Sequence, residues 1–374
     1  MLNYDEQKAN EREVELATSR RKIEHIDICT QRQVEARPRA DGTRASGLDD
    51  LMLVHRALPE LNMSEIDLRC TFLGKRLDAP LLISSMTGGH PETLDINRNL
   101  AIAAQRLGIG IGVGSQRAAL EDASQQESYT VVREVAPDAF IYGNIGAAQL
   151  ARYGVDGVMR SIEMLDADAM AIHLNFLQEA IQPEGDTDAA GVLHSIEEVC
   201  ASGIPVIVKE TGAGIRREDA LRLKEVGVSA IDVAGCGGTS WAGVEYYRNR
   251  REGMHTEEVF WNWGIPTAVS VVECGVGMPL IASGGIRSGL DCAKCIALGA
   301  DVCAIALPLV KRAIEGSNAV EAYLTQVIQQ LKIAMFLSAS HDVDALKRAQ
   351  IVICGLTCEI LTQRGHDTRR FAMR

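Results

Sequence analysis

The sequence predicts an α/β chain folded as a (β/α)8 TIM barrel with an N-terminal extension and C-terminal helices, and three observations predict it. From Pro80 onward, short apolar runs alternate with helical patterns in eight strand–helix units, the count such a barrel requires. The 34 Gly set against 6 Phe, 7 Tyr and 3 Trp indicate tight strand-to-helix turns and an aliphatic interior. Polar clusters follow the ends of the apolar runs, which a barrel collects on one rim. A doubly wound open sheet is the alternative.

Residues 1–20 carry many charges and few large apolar groups, so they are expected to form a mobile extension. Residues 21–374 are expected to be one domain: a preamble over 21–79, the barrel, and C-terminal helices over 310–374. The preamble reads as a weak strand at Ile26–Cys29, a helix at Leu48–His55 and an extended stretch at Ile66–Leu73. The barrel strands then fall at Leu81–Met86, Gly110–Gly114, Phe140–Asn144, Ala169–His173, Pro205–Lys209, Ala230–Ala234, Leu280–Ser283 and Val302–Ala306. Helices are expected between them, and two more at Val320–Leu337 and Ala345–Leu361.

A chain of 374 residues with 47% hydrophobic content can bury a large core. Its formal net charge of −12 argues against nucleic acid or an anionic membrane as the main partner. The ten Cys read as buried thiols of a reducing compartment, not as disulfides. The polar N-terminus and the absence of any run of transmembrane length point to a cytoplasmic protein.

The rim assigns the chemistry. Ala169-Met-Ala-Ile opens onto His173-Leu-Asn-Phe-Leu-Gln-Glu179, a polar cluster suited to lining a site. Ser283-Gly-Gly-Ile-Arg287 precedes a helix and suits a phosphate, because glycines let backbone N–H groups approach its oxygens. Gly237-Gly-Thr-Ser240 on the neighbouring strand adds donors to the same group. Each Gly-Gly alone reads as a tight turn; the two together favour phosphate. Lys209 ends an apolar strand and needs an anionic partner, which a reduced flavin, a Schiff-base role or a carboxylate such as Glu210 would each explain. Asn144 and Thr87 are placed to hydrogen-bond a flavin edge. Glu179 alone cannot close a metal cage but suits magnesium, which keeps waters and shares substrate phosphates. Arg21, Lys22 and Arg117 supply cations for a diphosphate.

Arg21-Lys-Ile-Glu-His25, Ser85-Met-Thr-Gly-Gly89, Gly114-Ser-Gln-Arg117, His173-Leu-Asn175 with Gln178-Glu179, Gln182-Pro-Glu-Gly185, Val208-Lys-Glu210, Gly237-Gly-Thr-Ser-Trp241 and Ser283-Gly-Gly-Ile-Arg-Ser-Gly289 run in one order along the chain. In that order the sequence closely resembles the type 2 isopentenyl diphosphate isomerase family, FMN-dependent barrel enzymes. Only the lead of about twenty residues departs from the family's compact start. The resemblance implies isomerisation of isopentenyl diphosphate to dimethylallyl diphosphate with FMN, magnesium and a reductant such as NADPH, in a homo-tetramer or homo-octamer. It implies that Ser84, Ser85, Met86, Thr87, Ser115, Asn144, Lys209, Thr239, Gly285, Ile286, Arg287, Ala306 and Leu307 hold FMN. It assigns Arg21, Lys22, Ser115, Gln116, Arg117 and Gln178 to the substrate and Glu179 to magnesium, and it makes Gln178, His173 and Asn175 the catalytic group around the flavin, the last two shaping the pocket near the diphosphate.

Moving a double bond requires adding one proton and removing another, yet no carboxylate pair or Cys–Glu pair is evident at the rim. Reduced flavin is therefore the expected acid and base, with Gln178 orienting or relaying. The nearest alternative is an FMN-dependent oxidase or dehydrogenase of 2-hydroxy acids on the same barrel. It needs a His base after the sixth strand, where this chain reads Cys236-Gly-Gly-Thr-Ser-Trp241. A nucleotide dehydrogenase would need an activated Cys, and nothing activates Cys236.

Overall fold

The computed structural model describes residues 21–249 and 256–374. The extension expected over 1–20 lies outside the described residues. The strands are β1 (Leu51–Leu53), β2 (Cys70–Phe72), β3 (Lys75–Leu77), β4 (Leu81–Ile83), β5 (Gly110–Gly112), β6 (Ile141–Gly146), β7 (Ala169–Leu174), β8 (Val206–Glu210), β9 (Ala230–Asp232), β10 (Leu280–Ala282), β11 (Val302–Ile305) and β12 (Ile351–Ile353). Strands β4 to β11 close into one parallel barrel, with β11 returning to pair β4 through Cys303 and Leu81.

Strand alternation sorts the side chains. Leu82, Phe140, Tyr142, Ala169, Ala171, Ile207, Ala230, Ile281, Val302 and Ala304 point inward and pack as one buried cluster. Small alanines on β7 and β9 leave room for the rings of Phe140 and Tyr142. The β2–β3 hairpin adds Phe72 and Leu77 to that cluster, both about 1% exposed. The preamble thus plugs the end of the barrel opposite the functional rim. Truncating Phe72 to Ala would cost about 3–5 kcal/mol. The outward strand residues, such as Leu81, Ile83, Met170, Ile172, Val206 and Val208, form a second apolar layer beneath the helices.

Three local expectations are corrected. Residues 21–31 are helical, not a strand at Ile26–Cys29. The period-2 pair Ile26 and Ile28 yields to a helical period in which Arg21, Lys22, His25, Ile26 and Cys29 share the cavity-facing side. The expected helix at Leu48–His55 is a single 3-10 turn, Leu48–Asp50, followed by β1. The expected helix at Ala345–Leu361 is interrupted: Val343–Lys347, then β12, then Gly355–Gln363. β1 and β12 pair antiparallel, Leu51 with Ile353, so two β-branched or aliphatic runs some 300 residues apart satisfy each other's backbone. All ten cysteines are free; five are buried and Cys354 is exposed. Among the described residues, no helix is long and apolar enough to cross a membrane.

Candidate active site

One step further along six of the eight barrel strands, the inward positions change from apolar to polar. Ser84 follows Leu82, Asn144 follows Tyr142, His173 follows Ala171, Lys209 follows Ile207, Asp232 follows Ala230 and Ser283 follows Ile281, each two residues on. The same alternation that builds the core therefore lays a polar floor on it. Above this floor lies a cavity of about 250 Å³ that reaches the helix 21–31 on one side and the start of the helix Leu307–Glu315 on the other. A smaller cavity adjoins it, sharing Ser84, Lys209, Thr211, Thr239, Ala306 and Leu307.

Register places His173 beside Lys209 and Lys209 beside Asp232. Lys209 Nζ lies 3.5 Å from Asp232, which is fully buried and also accepts from Ser283 Oγ. The carboxylate partner of Lys209 is thus Asp232. Glu210 offers it only a backbone oxygen, at 3.1 Å, and turns its own carboxylate onto the N–H groups of Thr211, Gly212 and Ala213. Asn144 Nδ2 donates to Val113 O, so its Oδ1 must accept, and His173 Nδ1 lies 2.7 Å from it. That fixes the proton of neutral His173 on Nδ1. Burial, with Lys209 adding repulsion, lowers His173 to about 4, so the imidazole is uncharged near neutrality.

The smaller cavity is made of backbone. The loops after β9 and β10 pack glycine against glycine: a Cβ on Gly285 would run into the Gly237 carbonyl oxygen, and one on Gly238 would sit 2.7 Å from Gly285 N. Gly284 and Gly285 have φ of 99° and 78°, which disfavours any side chain. The N–H groups of Gly238, Gly284, Gly285 and Ile286 have no acceptor among the described residues. Free donors, glycine clearance and the N-terminus of the helix Leu307–Glu315 together fit a phosphate. The buried hydroxyl of Ser85, also without a partner among the described residues, faces the larger cavity. A phosphate-bearing planar cofactor fits these residues. Arg287, expected at this phosphate, lines the cavity with its guanidinium on Glu35, Nε to Oε1 2.9 Å.

The opposite corner is made of side chains. Arg21 and Lys22 reach it from the helix 21–31, and Arg117 from the helix Arg117–Glu121, where it pairs with Glu121 at 3.0 Å. Lys22 Nζ donates to Gly88 O, Ser115 O and Tyr129 Oη. Burial, with repulsion from Arg21, lowers it to about 7. Behind these cations lies Glu245, fully buried, bonded to His25 Nε2 at 3.1 Å and Arg248 Nε at 2.8 Å, with Gln178 Nε2 at 3.5 Å. Burial opposes its charge, but His25 and Arg248 more than offset that and hold it below the usual carboxylate range.

Glu179 is buried and accepts from Asn175 Nδ2 at 2.7 Å, Gln182 Nε2 at 2.9 Å and Asp186 N at 2.8 Å. Asn175 Oδ1 and Gln182 Oε1 are buried without partners among the described residues. One carboxylate flanked by two orphaned amide oxygens suits a hard cation that keeps waters.

Of the expected site residues, Arg21, Lys22, Ser84, Ser85, Met86, Thr87, Ser115, Arg117, Asn144, His173, Asn175, Gln178, Glu179, Lys209, Thr239, Ala306 and Leu307 line the larger cavity. Gly285, Ile286 and Arg287 line the smaller one. Gln116 does neither: it is fully buried, donates to Ser161 O and accepts from Asn144 N, so its side chain serves the wall rather than a substrate. Reading the sequence missed Asp232, Glu245 and Tyr129. Only Asp232 carried a signal, an acid within an apolar strand beside the Lys209 strand.

Residues 163–353 match the FMN-dependent dehydrogenase family. An isopentenyl-diphosphate delta-isomerase of Methanosarcina barkeri is 56% identical over 361 residues, covering 95% of this chain and 98% of its own. That of Methanococcoides burtonii is 52% identical over 364 residues, covering 96% and 99%. Among solved structures, a mandelate oxidase variant with benzaldehyde superposes with a TM-score of 0.61 at 19% identity, covering 91% of this chain and 99% of that one; this likeness is one of fold. Identity above half along nearly the whole length of both chains places this chain in the isopentenyl-diphosphate delta-isomerase family, on the barrel of the FMN-dependent dehydrogenases.

Proposed function

We propose that the protein converts isopentenyl diphosphate to dimethylallyl diphosphate, with FMN as cofactor, magnesium at the diphosphate and NADPH as the reductant of the flavin. The observation that carries this reading is a pair of adjoining cavities, the smaller with a backbone corner for an anion at Gly238, Gly285 and Ile286 and the larger with a cationic one at Arg21, Lys22 and Arg117. Two corners suit two anionic molecules, cofactor and substrate. Three cations with Glu179 beside them match the charge of a diphosphate better than the single carboxylate of a 2-hydroxy acid.

Ser84, Ser85, Met86, Thr87, Ser115, Asn144, Lys209, Thr239, Gly285, Ile286, Arg287, Ala306 and Leu307 hold FMN in this reading. Reduced FMN supplies, when bound, the proton donor and acceptor for the allylic shift. Glu179, with the amide oxygens of Asn175 and Gln182, would hold magnesium, whose charge offsets that of the diphosphate. Lys209, paired with Asp232, presents a cation from the floor to an electron-rich ring. Neutral His173, with its proton on Nδ1 toward Asn144, leaves Nε2 as an acceptor and adds no charge. Gln178, backed by Glu245, orients at the reacting end. An assembly of four or eight chains goes with the reading, and the exposed Leu58, Val259 and Trp263 give it apolar surface to cover.

The test is anaerobic incubation of the protein with FMN, magnesium and isopentenyl diphosphate, with and without dithionite or NADPH. Dimethylallyl diphosphate formed only with reduced flavin, which stays reduced over many turnovers, is the expected result. Stoichiometric reoxidation of the flavin by substrate would replace the isomerase with a redox enzyme.

A further inference from the structure

The cationic corner depends on a residue that touches neither cavity. Tyr129 lies on the helix Glu127–Val135 and is fully buried. Its hydroxyl donates to Ser115 O and accepts from Lys22 Nζ at 2.9 Å. Its ring fills the space beside Gly88 and Gly89: a Cβ on Gly88 would strike the ring, and one on Gly89 would lie 2.7 Å from the hydroxyl. The preceding residue, Ser128, accepts from Gly89 N at 2.8 Å. One helix end thus fastens the loop after β4, the loop after β5 and the N-terminal helix to one another.

An ammonium has three N–H donors, and Lys22 spends all three on Gly88 O, Ser115 O and Tyr129 Oη. Binding a phosphate oxygen requires giving up one of these acceptors. Of the two carbonyl acceptors, Ser115 O is the one that can be released without being left unpaired, because the Tyr129 hydroxyl already donates to it. We propose that Tyr129 is the positioning residue of the substrate corner: it keeps Ser115 O satisfied while Lys22 turns one donor to the diphosphate, and it holds the ammonium in place meanwhile.

This rests on the isomerase reading. The charged groups that face Lys22 are Arg21 on its own helix and Arg117 and Glu121 on the helix Arg117–Glu121, and the titratable but neutral His173 stands at the end of β7. Removing the Tyr129 hydroxyl takes an acceptor from the ammonium, which lowers the Lys22 pKa further.

The experiment compares wild type, Tyr129→Phe, Lys22→Met and the double variant, all with FMN. Tyr129→Phe keeps the ring against Gly88 and is expected to raise KM for isopentenyl diphosphate about 5- to 10-fold, with kcat and FMN affinity nearly unchanged. The alkaline limb of kcat/KM should move to lower pH, and the substitution should have no further effect in the Lys22→Met background. Additive effects in the double variant, an unmoved KM, or loss of FMN affinity with Tyr129→Phe would each overturn the proposal. Calorimetric binding of inorganic diphosphate to the same four proteins separates the two failures. If wild type makes no product, the isomerase reading falls, while the coupling between Tyr129 and Lys22 is still read from binding.

Discussion

At the corner between β9 and β10 the proposed anion site is main chain: N–H groups without an acceptor among the described residues, glycines pressed on glycines, and a helix N-terminus. At the corner under the helix 21–31 it is side chain: Arg21, Lys22 and Arg117, held by Glu184, three acceptors and Glu121 respectively. The first is rigid because the loops that follow β9 and β10 pack backbone against backbone, and its donors need no rearrangement to receive a phosphate. The second meets an anion only by exchanging partners it already has. Preorganised backbone suits a cofactor that stays; compensated cations suit a substrate that must leave.

The sharpest way to break this contrast is Gly285→Ala. Its φ of 78° and the Gly237 carbonyl leave no room for a methyl group, and the carbonyl is backbone of the neighbouring strand's loop. FMN affinity is expected to fall at least about 100-fold, by fluorescence titration, with about 1–3 kcal/mol lost in stability. An alanine variant that binds FMN normally would mean that the glycine corner is only a turn.

At the opposite corner, Lys22→Met keeps the stem and removes the charge. KM for the diphosphate should rise about 30- to 100-fold, the range of a lost desolvated charge contact, while FMN affinity stays within about twofold. A parallel loss of both affinities would merge the two corners into one. Because the Lys22 pKa is lowered to about 7, the free enzyme should also lose diphosphate affinity as pH rises through that value.

His173 lies between the corners and measures how dry the floor is. Its folded pKa of about 4 lies below the unfolded value of about 6.5. The unfolded chain therefore binds the proton first as pH falls. Stability should decrease between about pH 6.5 and 4, by roughly 1–3 kcal/mol, and His173→Asn should flatten that slope in urea titrations at pH 7 and 5. An unchanged slope would mean that water reaches the imidazole.

The legibility of the sequence follows the same division. The barrel and its polar floor could be read because strand alternation is local: Ile207 then Lys209, Tyr142 then Asn144. The glycine corner could be read because only a special backbone needs Gly in such pairs. The cationic corner gave its cations but not their partners. Glu245 sits in Trp241-Ala-Gly-Val-Glu-Tyr-Tyr-Arg248, which reads as an ordinary helix; its burial against His25 is set by a helix 220 residues away. Tyr129 looks like core, and Gln116 looked like a ligand because it stands between Ser115 and Arg117. At residues 21–31 a two-residue Ile repeat masked the helical face, and β1 could not be seen without β12.

Glu35, on the segment that runs from the helix 21–31 to the glycine corner, gives the smallest effect. Its backbone bridges Thr239 beside the glycine loop, and its carboxylate holds Arg287. Ala36 N bonds Gly238 O at 2.8 Å and Ser240 N bonds Val34 O at 2.7 Å, so the segment stays in place whatever residue 35 carries. Glu35→Gln therefore changes charge and little else. If the carboxylate competes with a phosphate for Arg287, FMN should bind about 2- to 5-fold tighter, and the gain should shrink as salt screens it. Weaker binding instead would mean that Glu35 aims the guanidinium, and that even the backbone corner relies on one compensated side chain.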